Sequence, residues 1–244
     1  MNSIIGIIAK PLGILLNWLY GITGIYGLAI IIFTIIVKAC LYPLYVKQTK
    51  SMAGMSKLQP KIKVLQSKYA NDKETLNIKM SELYKEEKVN PAAGCFPMLI
   101  QMPILFGLFA LLRNPLAYIN TSNDDMLFAI HQSFLWMSDL SQPDKWILPI
   151  IAGIATFISY AMSEKLNMGI DGMGGTSGMG GSGGMMKMMK YVFPVLIVLM
   201  GRSFPGGLTI YWAFSMIIQI AYNFGLARVR RNMLNESKEG KKKK

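Results

Sequence analysis

The chain has 244 residues, of which 52% are hydrophobic and only 16% charged, and its mean hydropathy is +0.35. Its apolar residues fall in runs of roughly 20, the length that crosses a hydrocarbon core of about 30 Å at about 1.5 Å per residue, which excludes a soluble globule. Two cysteines, Cys40 and Cys95, and abundant Leu, Ile, Met and Phe exclude a disulfide-stapled secreted domain and a disordered chain. The net charge of +13 is therefore read first as topology.

Residues 1–20 carry Ile4, Ile7, Ile8, Leu12, Leu15, Leu16 and Leu19 near helical spacing, with Lys10 in their midst. We read this as an amphipathic helix on the outer membrane surface. The competing reading is an uncleaved anchor or a processed leader. Beyond it lie five candidate spans: Gly21–Val46, interrupted only by Lys38; Ala92–Leu112; Trp146–Ser163; Met188–Gly201; and Phe204–Ala227. In lipid the backbone must satisfy its own hydrogen bonds, so the spans are predicted as helices. The predicted fold is an all-α membrane protein of five transmembrane helices, a cytoplasmic helical hairpin and the N-terminal interfacial helix. In segments, 1–20 is the interfacial helix, 21–46 the first span, 47–90 the hairpin and 91–113 the second span. An external loop, 114–144, leads to the third span at 145–163. A Gly/Met-rich cytoplasmic loop, 164–187, leads to the fourth and fifth spans at 188–201 and 204–227, and 228–244 is a basic tail.

Orientation is set by the Lys and Arg residues, because cation-rich short loops stay in the cytoplasm. Ten lie between Lys47 and Lys88, three more are Lys165, Lys187 and Lys190, and eight lie between Arg228 and Lys244. The other side receives Lys10, Arg113, Lys145 and Arg202. This places the N-terminus outside and the C-terminus in the cytoplasm.

Between the first two spans, Met55, Leu58, Ile62, Leu65 and Tyr69 repeat at alternating intervals of three and four, the seam of a helical pair. Leu76, Met80 and Leu83 resume it after a break at Ala70, Asn71 and Asp72, which predicts a hairpin rather than a solvated charged loop. Pro60 is expected to kink the first arm or start a new helix. The stretch from Met168 to Met186 is nearly all Gly, Met and Ser, a flexible linker by composition. Its thioethers also suit transient contact with apolar segments or, less simply, a soft metal. The single histidine, His131, has no companion for zinc or general-base work; we assign it an interfacial role and expect no metal site.

Lys38 needs a physical explanation. It precedes Lys47 by eight positions along a helix, about 12 Å of rise, and a charge at the middle of a span costs about 2.5–3.5 kcal/mol on the insertion scale. Either its amine snorkels to the inner headgroups or it faces a water-filled groove. Thr34, Lys38 and Tyr42 share one face. Thr156, Ser159, Tyr160 and Ser163 make a second polar stripe, and Trp212, Ser215, Gln219, Tyr222 and Asn223 a third, while the second span carries Gln101. Several stripes beside one cation suggest the groove, with Lys38, Thr34, Gln101, Trp212, Ser215 and Gln219 as its candidate substrate-binding residues. No Asp or Glu lies inside any span, which disfavours an ion-coupled transporter. No nucleophile–base pair or phosphate loop is visible, so neither enzymatic catalysis nor a cofactor is expected.

Four phrases together resemble one family. They are NPAAGCFPMLIQMPILFGLF (Asn90–Phe109), IIVKACLYPL (Ile35–Leu44), LQPKI (Leu58–Ile62) and FPGGLTIYWAFS (Phe204–Ser215). In this order, over about residues 20–227, the chain is similar to the YidC/Oxa/Albino membrane protein insertases. The resemblance implies five core spans around a groove open to cytoplasm and lipid and closed outside. It also implies an arginine where this chain has Lys38, so the charge is kept and the planar fork lost. After Ser215 the family often shows Asn, where this chain has Met216. The further N-terminal span and large periplasmic domain of Gram-negative relatives, and the lipoprotein cysteine of many Gram-positive ones, are not seen here. The chain thus resembles a minimal, Gram-positive-type member.

The implied function is insertion and folding of newly made membrane proteins, without ATP or bond-making. Nascent membrane proteins are the expected partners, with the ribosome meeting the hairpin and tail, and the Sec translocon a further one. The basic tail suits ribosomal RNA phosphates and anionic lipids alike. A small-solute transporter or channel is the alternative function, and a passive ribosome tether a third.

Overall fold

A computed structural model of the chain describes residues 2–89, 96–113, 128–166 and 182–242. The Asn90–Cys95 part of the second-span motif, the loop through residue 127, the Gly/Met-rich stretch 167–181 and the last two lysines lie outside the described residues. The helices among the described residues are α1 (Asn2–Thr23), α2 (Tyr26–Lys68), α3 (Lys73–Glu86), α4 (Phe96–Arg113), α5 (Ile147–Leu166), α6 (Ser182–Gly201) and α7 (Gly206–Lys242). Among the described residues the only extended pairing is an isolated bridge between Phe134 and Met137. Among the described residues three stretches are long and apolar enough to cross a membrane: Gly6–Thr23, Tyr26–Lys47 and Gly206–Arg228. Gln101–Leu112, Ile147–Ser163 and Lys190–Gly201 are shorter apolar helices.

The chain divides into two compact units. The first comprises Met1–Leu41, Pro97–Phe157 and Pro194–Gln219. Its core holds Leu16, Tyr26, Ile30, Phe33, Leu108, Leu111, Leu140, Leu208 and Tyr211, all buried. Helix α1 is apolar on two opposite sides. Leu16 is 0% exposed and Leu19 is buried, whereas Ile7 is 72% exposed and shares its stripe with exposed Ile14, Trp18 and Ile22. Ile7 and Leu16, both in the apolar set of residues 4–19, therefore lie on opposite sides of the helix, and protein covers only the Leu16 side. Ile8 and Leu12 pack over Gly107 of α4, where a side chain would crowd Ile8 at 3.0 Å.

The apolar run that begins at Gly21 is divided near its start between two helices. Helix α1 stops at Thr23 because Gly24 takes a left-handed φ of +66°, free of Cβ strain, and its N–H closes the last turn on the Tyr20 carbonyl at 2.8 Å. The loop at residues 128–146 clasps this break. The Tyr26 N–H donates to Gln132 Oε1 at 2.9 Å, and Gln132 Nε2 donates to the Tyr20 hydroxyl at 2.9 Å. The same loop receives the N–H groups of Gly206 and Gly207, at the start of α7, on the carbonyls of Gln142 and Leu140 at 3.0 and 3.1 Å. Phe134 and Met137 press on Gly27 and Gly206, where any Cβ would collide. Asp144 caps α5, accepting the N–H groups of Trp146, Ile147 and Leu148. Burial alone would raise its carboxyl pKa, but these bonds and one from the Trp136 indole hold it below the usual value.

The second unit comprises Tyr42–Phe96, Ile158–Phe193 and Ile220–Lys244. Here Leu58 and Ile62 of α2 pack on Leu76, Met80 and Leu83 of α3, with Leu65, Tyr69, Tyr84 and Val89 around them. Helix α2 continues through Pro60 to Lys68, so no new helix begins at that proline. The arms turn over residues 69–72, and Asp72 caps α3 by accepting the Thr75 N–H at 3.0 Å. In the same unit Asn223 Nδ2 donates to the Ser159 carbonyl at 3.0 Å, and the Tyr42 and Tyr222 rings lie 4.9 Å apart.

Candidate functional site

Lys38 lies in α2, and its side chain is inside the first unit, 1% exposed. The amine donates to Gln101 Oε1 of α4 at 3.5 Å and to Gln219 Oε1 of α7 at 3.4 Å. Both bonds are long for N–H···O and both acceptors are neutral amides. Neither a snorkelling amine nor one standing in open water describes this arrangement: the ammonium is enclosed by protein and solvated by side-chain carbonyls. Gln101 is fixed in turn, since its Nε2 donates to the Tyr211 hydroxyl at 3.0 Å. Tyr211, Ser215 and Gln219 stand four residues apart on one face of α7, with Tyr211 and Ser215 both fully buried.

The remaining candidates divide. Thr34 is buried, and its hydroxyl donates to its own helix at the Ile30 carbonyl, 2.7 Å away. Trp212 turns to α5 and donates its indole N–H to Thr156 Oγ1 at 3.1 Å. Ser215 Oγ has no hydrogen-bond partner among the described residues, which leaves a buried hydroxyl able to bond an incoming group. Tyr42 is partly exposed, so the face it shares with Lys38 in sequence does not bury it. Of the six candidates, Lys38, Gln101 and Gln219 form one bonded cluster. Tyr211 belongs with them: its place four residues before Ser215 and eight before Gln219 puts it on their stripe, but only its bond to Gln101 marks it as part of the polar cluster.

Around this polar interior the surface is apolar. Leu28, Ile35, Ile154, Phe157 and Leu199 are among its exposed side chains. Polar groups inside with Ile, Leu and Phe outside reverse the soluble pattern and define an all-α membrane protein with a cationic polar core. Residues 18–233 match the family model described as 60Kd inner membrane protein. Two relatives are each named membrane protein insertase YidC. One, from Fusobacterium nucleatum, is 39% identical over 92% of this chain and 97% of its own length. The other, from Maridesulfovibrio salexigens, is 36% identical over 93% of this chain but 39% of its own length. A crystal structure described as an active YidC insertase with its first transmembrane domain resolved matches at a TM-score of 0.58. It is 32% identical, over 88% of this chain and 45% of that one. The chain belongs to this family, the YidC membrane protein insertases.

Proposed function

We propose that the chain inserts newly made membrane proteins by lending the Lys38 ammonium to acidic residues of an entering segment. The observation that carries this reading is the placing of that ammonium: it is enclosed by protein, and its bonds to Gln101 and Gln219 are long ones to neutral amides. An incoming carboxylate is a stronger acceptor than either amide, so Gln101 and Gln219 act as exchangeable stand-ins. Ser215 Oγ offers the client a further polar contact. The site lowers the cost of carrying a polar terminus part-way across, and burial of the client's apolar helix, at about 25 cal/mol per Å2 of area removed from water, drives completion. No ATP and no covalent step enter.

Five spans, with the N-terminus outside and the C-terminus cytoplasmic, fit the 21 cations assigned to one side against four on the other. α1 then lies along the outer interface. Lys10, exposed within that apolar helix, reaches headgroups from there, whereas a spanning α1 would set it in hydrocarbon. The α2–α3 hairpin receives clients on the cytoplasmic side, and the basic tail engages the ribosome or anionic lipids, beside or apart from the Sec translocon.

The test is reconstitution of the purified protein with a short client bearing an acidic translocated segment. Lys38→Ala and Lys38→Glu should lower insertion by about tenfold or more, the effect of roughly 1.4 kcal/mol. Lys38→Arg should retain it, and clients with neutral segments should be affected less. Full insertion of the acidic client by Lys38→Ala would sink the charge model; solute flux without insertion would indicate a transporter.

A further inference from the structure

Two exposed apolar stripes of the first unit end at the same place. Along α5, Ile147, Ile150, Ile151, Ile154 and Phe157 are exposed at helical spacing, and at the end of α6 Leu199 and Met200 are exposed. Immediately before the first stripe stands Trp146, 52% exposed, and just after the second stands Arg202. The Arg202 guanidinium lies over the Trp146 ring, 4.0 Å from its centroid. A guanidinium so stacked keeps its N–H fork at its edges, the geometry that grips phosphate oxygens.

The neighbouring loop adds a second indole. Trp136 is 47% exposed, and its Nε1 donates to Asp144 Oδ2 at 2.6 Å, while the other oxygen of that carboxylate accepts the Trp146 N–H at 3.0 Å. Asp144 thus ties both tryptophans to the start of α5 and has its oxygens occupied by backbone and indole donors. Leu135 beside Trp136 is 66% exposed at the tip of the Phe134–Met137 turn and takes a left-handed φ of +56°. Lys145 adds an exposed cation alongside. Indoles with one wet and one apolar side belong where hydrocarbon gives way to headgroups.

We propose that Trp136, Trp146 and Arg202 form a phospholipid-binding rim, in which the indoles sit at the glycerol level and the guanidinium takes the lipid phosphate. The rim sets the depth of α5 and α6 in the bilayer. It rests on these helices crossing the membrane, as proposed above, and not on what Lys38 does to clients.

The experiment uses full-length protein in vesicles, with all but one tryptophan replaced by Phe. In the Trp146-only and Trp136-only proteins, lipids brominated near the glycerol end should quench emission about twofold more than lipids brominated at the chain ends. Equal quenching, deeper quenching or none would overturn the placement. In a Trp212-only protein the indole bonded to Thr156 should escape both lipids, which separates misfolding from failure of the proposal. For the phosphate, Trp146 emission should differ between phosphatidylglycerol vesicles and those of a neutral, phosphate-free glycolipid, and Arg202→Gln should abolish the difference. Identical emission of the Arg202 protein in both lipids would overturn the phosphate assignment. Lys38 variants that fail to insert clients should keep the full quenching pattern, so the two readings fail separately.

Discussion

The hairpin seam and the Lys38 cluster are built on opposite plans. In the hairpin Leu58, Ile62, Leu76, Met80 and Leu83 are inside and the charges are outside, as the Lys61–Glu87 and Lys79–Glu82 pairs show. Water drives that assembly by expelling apolar area. In the other region an ammonium, two amides and a phenol are inside while isoleucines face outward. Lipid offers no hydrophobic drive between helices, so packing and interhelical hydrogen bonds hold such a core. One chain thus uses polarity as a surface in one region and as an interior in another, and each region should fail to different substitutions.

The largest expected effect is in the seam. Ile62→Ala removes a fully buried side chain and should cost the hairpin about 2–5 kcal/mol. Hydrogen exchange should then rise across residues 58–86 with no change in α4 or α7, and unchanged exchange would break the contrast. In the cluster, Tyr211→Phe deletes the acceptor of the buried Gln101 amide, a loss of about 1–3 kcal/mol. It should lower the unfolding temperature in detergent and weaken insertion of acidic clients less than Lys38→Ala does.

Tyr84 sharpens the comparison, because it is a polar atom misplaced by the rules of the hairpin. Its hydroxyl is buried without a hydrogen-bond partner among the described residues, and burial pushes its pKa up to about 12. The unfolded arm releases this proton near pH 10 or so. Between those values the unfolded state binds fewer protons than the folded one, and stability falls as pH rises. Tyr84→Phe should leave the hairpin as stable as before, or more so, and flatten that alkaline loss in a circular dichroism titration. The smallest effect belongs to Lys61→Ala. The pair is largely exposed at 60% and 37%, and surface ion pairs contribute little, so hairpin melting at physiological salt should not change measurably.

Much of this is legible from pattern alone. The seam comes from the three–four spacing of large apolar residues, and the turn from Asn71 and Asp72, whose short side chains favour caps and turns. Lys38, Gln101 and Gln219 stand out because polar side chains are conspicuous in apolar runs. Tyr211 does not, because a tyrosine in a span reads as apolar until a partner for its hydroxyl is seen. Thr34 looks like a groove residue in sequence, yet a threonine can satisfy itself on its own helix, as its bond to Ile30 does. The break at Gly24 is hidden, since a glycine within an apolar run takes a left-handed φ only where the chain requires it.

The sequence by itself determined that the chain is helical and made for a membrane, because run length, charge and periodicity are local properties that need no partner to be read. Only the tertiary structure decided that the Lys38 amine is enclosed between two glutamines, that Tyr211 supports one of them, and that Arg202 stacks on Trp146. These pairings join residues 63, 181 and 110 positions apart in the first three cases and 56 apart in the last, from Trp146 to Arg202. Which side chains meet over such distances is fixed by how helices pack, and no local pattern encodes it.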